Sequence, residues 1–206
     1  MVNDDLMIDL GLSYEMIKPY ANKVKYLLLT HKHSDHLNLT ALRKLYVNVK
    51  PVIICGEWLK EALSLYAERV QIVEIGKVYS FGSYKVSPVK AYHDVPNCGY
   101  RIMQGAHKHL HITDTATLDG ISAKGYDSVS IECNHCEIKA SKLIQEAIQK
   151  GEFTHLEGAM NSHLSVQKVI KFCNEEGIKQ LIPVHIGEST KNEVLEALRI
   201  WNENIK

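Results

Sequence analysis

The stretch Tyr26-Leu27-Leu28-Leu29-Thr30-His31-Lys32-His33-Ser34-Asp35-His36 decides how the rest of the chain is read. An apolar run ends abruptly in three histidines and a carboxylate within six positions. A strand cannot bury those groups unpaired, so they belong on the loop leaving its C-terminal end. Imidazole nitrogen and carboxylate oxygen are the donors that zinc and related borderline cations take. The i, i+2 spacing of His31 and His33 lets both rings converge on one ion, which leaves Asp35 and His36 to face a second. An arbitrary histidine cluster reads as solvated surface; directly after an apolar strand, this one reads as a metal loop.

Outward from the loop, short runs rich in Val, Ile and Tyr alternate with longer segments of helical period, so the fold class is α/β or α+β. Strands are predicted at 6–9, 25–30, 52–55, 70–74, 78–81, 84–92, 99–104, 109–113, 127–132 and 180–184. The consecutive block from 70 to 113 suggests antiparallel meanders. Helices are predicted at 38–48, 57–67, 137–150, 165–176 and 191–203. The last is opened by Thr190 with Glu193 three residues on, a capping-box arrangement. Its Val194, Leu195, Leu198 and Trp201 share one face, which should pack on a sheet. No repeat or long linker divides the chain, which reads as a single domain over 1–206.

Composition narrows the function classes. The 206 residues are 45% hydrophobic, enough for a continuous core. Lys plus Arg and Asp plus Glu both number 24, so no global field draws the chain onto a polyanion, and a phosphate-bearing substrate must be held locally. No apolar run approaches the roughly 20 residues that span a bilayer, and the N-terminus lacks a basic, apolar leader. The expectation is a cytoplasmic protein with no membrane partner. Cys55, Cys98, Cys133, Cys136 and Cys173 are an odd set that implies no disulfide framework, and the lone C-x-x-C at 133–136 lacks a second pair to complete four ligands. His107, His109 and His111 alternate along one strand and read as a polar sheet face. Trp58 and Trp201 read as core, and Cys98 as a small buried residue.

The H-x-H-x-D-H motif at 31–36 resembles that of the metallo-β-lactamase superfamily, and the resemblance runs over almost the whole chain. Met7-Ile8-Asp9-Leu10-Gly11 looks like the family's first motif, in which the Asp supports the metal loop from behind. His93, Asp114 and His185 fall where the family places its later ligands, each at the end of an apolar run. The resemblance implies an αββα four-layer sandwich, shortened at the N-terminus. It places one ion on His31, His33 and His93 and the other on Asp35, His36 and His185, with Asp114 between them. Two divalent cations are implied, Zn²⁺ or alternatively Mn²⁺. At ~3.5–4 Å apart, such a pair lowers the pKa of a shared water and neutralises charge on the attacked group, which is hydrolytic chemistry.

Two further segments, Ser130-Ile131-Glu132-Cys133-Asn134-His135 and Ser162-His163-Leu164-Ser165, resemble the E-x-N-H and G-H-L-S segments of the YycJ-like (WalJ-like) proteins, a nuclease-type branch akin to tRNase Z. That resemblance implies DNA as substrate, exonuclease-like action in repair or recombination, and a metal-bridging hydroxide as nucleophile. It assigns catalysis to Asp35, Glu132 and His163, with His163 as general acid, Glu132 as its orienting partner and His135 as a phosphate contact. Ser162 and Val166 depart from the branch pattern, and the loop Phe153-Thr154-His155-Leu156-Glu157 lacks its basic residues. No segment is long enough for a β-CASP insertion or a tRNA-gripping arm, which argues against tRNA maturation. Because the sequence starts directly at the first motif, an open sheet edge is expected, covered by a second copy or another partner. Two other readings stay open: a lactone or thioester hydrolase, which leaves Glu132 and His163 without a task, and a binding module with structural metals, against which seven filled ligand positions argue.

Overall fold

The computed structural model describes residues 5–205. Its first sheet joins β1 (Leu6–Ile8), β2 (Tyr26–Leu29), β3 (Val52–Cys55) and β4 (Val70–Ile72), all parallel and in that spatial order. Helices α1 (Tyr14–Ala21) and α2 (Leu39–Val49) make the crossovers and cover its outer face. The second sheet continues with β5 (Tyr79–Phe81), β6 (Tyr84–Ala91), β7 (Asn97–Gln104), β8 (His107–Ile112) and β9 (Ser128–Glu132). Then come α3 (Glu137–Lys150), α4 (Leu156–Ser162), α5 (Val166–Glu176), the edge strand β10 (Leu181–Val184) and α6 (Lys191–Asn204).

Strand alternation sorts the side chains into three cores. Leu27, Leu29, Ile53 and Cys55 point outward onto Leu42, Leu45, Leu59 and Leu63. Their neighbours Leu6, Leu28 and Ile54 point inward onto Tyr84, Val86, Tyr100 and Ile102 of the second sheet. Leu110, Ile112, Val129 and Ile131 pack outward against Val166, Val169, Val194, Leu198 and Trp201. The result is the expected αββα sandwich.

Several expectations are corrected. The predicted helix at 57–67 is two 3₁₀ turns, Glu57–Leu59 and Ser64–Arg69, and the buried pair Leu63 and Tyr66 suits a period of three. The block 70–113 is not one meander, because β4 pairs in parallel with β3 while only β5 to β8 run antiparallel in sequence. Helices α1 and α4 fall where none was predicted, α1 carrying Pro19 inside it and α4 burying no residue. Thr190 does not cap α6; its hydroxyl accepts from the Cys136 N–H at 3.0 Å and ties the start of α3 to that helix. Among the described residues no helix is long and apolar enough to cross a membrane.

Candidate metal centre

The C-terminal ends of β1, β2, β6, β8, β9 and β10 converge at one rim of the sandwich, and each delivers a polar side chain there. Asp9 follows β1, Asp114 follows β8 and His185 follows β10, all in left-handed backbone with φ of 54°, 52° and 48°. Non-glycine residues pay for that conformation, and such strain collects where side-chain placement matters. It turns each strand end sharply so that the side chain faces the rim.

Asp9 fixes the histidine loop from behind. One carboxylate oxygen accepts from the Thr30 N–H at 2.8 Å; the other accepts from the Thr30 hydroxyl at 2.8 Å and lies 2.7 Å from His36 Nδ1. The Thr30 carbonyl accepts from Trp58 Nε1 at 3.1 Å. Gly11 lets the two loops touch, since a Cβ there would lie 1.6 Å from the Asp35 carbonyl oxygen. Gly11→Ala is therefore expected to displace the loop, costing about 2–3 kcal/mol in urea unfolding and weakening Zn²⁺ binding in calorimetric titration. Unchanged zinc affinity would show that loop position does not govern the site.

The seven residues proposed as ligands meet. His31 Nε2 lies 3.2 Å from His33 Nδ1, which lies 3.3 Å from His93 Nε2. His36 Nε2 lies 3.5 Å from Asp35 Oδ2, and His185 Nε2 3.7 Å from that same oxygen. Asp114 stands between the two groups, its Oδ2 at 3.2 Å from His31 Nε2 and 2.8 Å from His36 Nε2, its Oδ1 against His185 Nδ1. Three imidazole nitrogens facing one another cannot all find protons and lone pairs in a complementary order. A tetrahedral cation with bonds of ~2.0–2.1 Å spaces its donors by about 3.3 Å, so the first triangle fits one. Both donor sets have the chemistry to hold a divalent metal ion.

Beside them, Glu132 is fully buried. One of its oxygens accepts from the Thr115 N–H at 2.6 Å, and the other lies 2.8 Å from His163 Nδ1. That nitrogen is also 3.5 Å from Asp114 Oδ1. His135, expected as a phosphate contact, is only 2% exposed, with Nδ1 unpartnered. Three residues not singled out from sequence also belong here. Asp94 lies 3.0 Å from His93 Nε2; Asn97 Nδ2 donates to the carbonyls of Thr113 and Asp114 at 3.0 and 2.8 Å; Thr115 holds Glu132. A lone polar residue on a strand or turn carries no periodic signal that would have marked them. His109 and His111 do share a polar sheet face, and it looks into the space between the sheets, where His109 bridges Ser128 and Ser130 at 2.8 and 2.9 Å and His111 meets Ser130 at 2.7 Å.

Electrostatics links the two parts. Burial alone would raise the Asp114 carboxyl, but His163, His185, His31 and His36 outweigh it and hold it far below the usual carboxylate range. Burial lowers His36, His163 and His185, yet the facing carboxylates win: Asp114 and Asp9 raise His36 to about 10, and Asp114 and Glu132 raise His163 and His185 to about 9. Protons thus hold the cation-free cluster together. A raised histidine contributes stability fully below its unfolded value of 6.5 and loses it as pH climbs through 9 to 10. Chelator-treated protein should therefore lose thermal stability between pH 7 and 10, while zinc-loaded protein should not, and zinc should bind more tightly as pH rises. A chelated protein whose melting temperature is level over that range contradicts this balance.

Residues 10–186 match the beta-lactamase superfamily domain. The chain belongs to that superfamily. Solved structures of similar fold include the metallo-beta-lactamase fold protein YhfI from Bacillus subtilis, with a TM-score of 0.72 at 17% identity over 98% of this chain and 81% of YhfI. Zn²⁺-bound PqqB from Methylobacterium extorquens gives 0.70 at 12% identity over 95% and 79% of the two chains. The short form of human tRNase Z gives 0.62 at 14% over 88% and 81%. No curated protein matches the sequence at a significant level. This superfamily member therefore carries the fold and two donor groups able to hold metal ions.

Proposed function

We propose that the chain is a metal-dependent hydrolase of phosphodiesters, with DNA the polymer its sequence motifs indicate. The observation that carries this reading is the Glu132–His163 pair, seated on Asp114 at the edge of the donor cluster. His31, His33 and His93 would hold one divalent cation and Asp35, His36 and His185 the other, shared through Asp114. When bound, the cations supply Lewis acidity and lower the pKa of a water at the site.

The chain's own contribution is proton delivery. An alkoxide is a poor leaving group, so cleavage of a phosphodiester gains from a proton arriving as the P–O bond breaks. Glu132 faces Nδ1 of His163, which leaves Nε2 as the nitrogen that can offer its proton to the departing oxygen. Attack by water at phosphorus with release of its proton to solvent, breakage of the P–O bond and transfer of the Nε2 proton to the departing oxygen give an alcohol and a phosphate monoester. Neutral His163 is then reprotonated from solvent. Glu132 keeps the ring oriented and favours its charged form, as its buried, doubly engaged carboxylate requires.

The test is a screen of Mn²⁺- or Zn²⁺-reconstituted protein on 5′-labelled single-stranded DNA, duplex DNA, RNA, bis(p-nitrophenyl) phosphate, a lactone and a thioester. Cleavage of the diesters is expected. Turnover of lactone or thioester with every diester left intact would overturn the reading in favour of an acyl hydrolase. That second reading draws support from the apolar walls of the cavity beside the site, since acyl substrates bring apolar chains.

A further inference from the structure

A cavity of about 850 Å³ opens between the β1 edge of one sheet and the β10 edge of the other. One end is the donor cluster itself, for Asp35, His36 and His185 line it. Away from that end its walls are mostly apolar, built by Ile8, Leu10, Met16 and Tyr20, with Lys23 the one lysine or arginine among the described lining residues. Met16 and Tyr20, four residues apart on α1, share one helix face and remain 61% and 53% exposed, and Leu12, in the bend before that helix, is 53% exposed. On its floor sits His111, 8% exposed, whose Nε2 has no hydrogen-bond partner.

The flanking edges decide what kind of occupant fits. A docked strand needs a row of free backbone groups to pair with. β1 offers three residues, and β10 is interrupted by Pro183, which has no N–H. Both edges are blunted against strand addition. The volume, in contrast, lies inside the roughly 300–1,000 Å³ of small-molecule sites, and apolar walls with a few converging polar groups are their usual lining.

We propose that this cavity holds an apolar arm of the substrate. Among phosphodiesters, DNA included, the preferred ones are then those that bring an apolar or aromatic group, an alkyl chain or an unstacked base, along Ile8, Met16 and Tyr20 with the phosphate against Asp35, His36 and His185. This rests on the hydrolase reading above and adds its selectivity: diesters are ranked by the apolarity of one arm.

The experiment compares methyl and octyl p-nitrophenyl phosphate with the Mn²⁺-loaded protein. The octyl diester should show kcat/KM higher by roughly tenfold or more, because its methylenes leave water in the cavity. Met16→Asp should pull that ratio toward one, whereas Val47→Asp, on the exposed face of α2, should leave it in place. Equal kcat/KM for the two diesters would overturn the proposal while leaving the phosphodiesterase reading intact. If neither is hydrolysed, that reading fails, and the cavity is judged by titrating octyl phosphate and inorganic phosphate into chelator-treated protein. Octyl phosphate binding tenfold more tightly, with the margin lost in Met16→Asp, supports the apolar arm; equal binding overturns it. A light-scattering mass of two chains that Met16→Asp returns to one assigns the cavity to an interface between copies and likewise overturns it.

Discussion

Replacing Asp114 by Asn is expected to empty the donor cluster of metal and to lower diester turnover by more than about 10³-fold. Asp114 touches both donor groups, meeting His31 on one side and His36 and His185 on the other. An amide of the same shape keeps the volume but brings no charge, so the buried anion that the two sets share is lost. The cation-free protein should change in a second way. The carboxylate is what raises His36, His163 and His185 against burial, so without it their protons leave at lower pH. The melting temperature of the chelated variant should then vary less between pH 7 and 10 than that of the parent chain. Metal content by plasma mass spectrometry, with melting curves in chelator, reads both effects. A variant that retains two ions per chain would remove Asp114 from its bridging place.

Most of the donor cluster is legible in sequence because strands announce it. His31, His33, Asp35 and His36 break an apolar run, and no buried strand tolerates that unless the chain leaves the sheet. Asp9 and His185 each terminate a short apolar run in the same manner, Asp114 ends the alternating strand His107–Ile112, and the left-handed backbone of all three is the structural form of that stop. What periodicity cannot supply is the side of a sheet. Alternation puts His107, His109 and His111 on one face of β8, but only the packing of Leu110 and Ile112 against α5 and α6 shows that this face looks inward. Partner choice is equally hidden: Val70–Ile72 reads as any short strand, and its pairing with β3 follows from the 3₁₀ turns that return the chain across the first sheet. Helix α4 escaped because none of its residues is buried, so it carries no apolar stripe. Thr190 shows the same limit at one residue, since a hydroxyl at an N-cap position had a nearer claimant in the Cys136 N–H.

Substituting His163 by Ala should lower kcat by about 10²–10⁴-fold on a diester with an alkoxide leaving group, such as a DNA strand or an alkyl nucleoside phosphate. KM and metal content should change little, since His31, His33, His93, Asp35, His36 and His185 are untouched. The leaving group separates this role from a structural one. p-Nitrophenolate departs without a proton, so the same substitution should cost far less on bis(p-nitrophenyl) phosphate. A residue that merely fastened α4 to β9 through Glu132 would cost the same on both substrates. Glu132→Gln should give an intermediate loss on alkoxide leaving groups, because the ring stays near its place while its charged form loses the buried carboxylate at 2.8 Å. Its alkaline limb should also move to lower pH, for the sign of the Glu132 interaction is to hold the proton on His163. Equal losses on phenolate and alkoxide substrates, or an alkaline limb that stays put in Glu132→Gln, would sink the general-acid assignment and leave His163 as a support for the cluster.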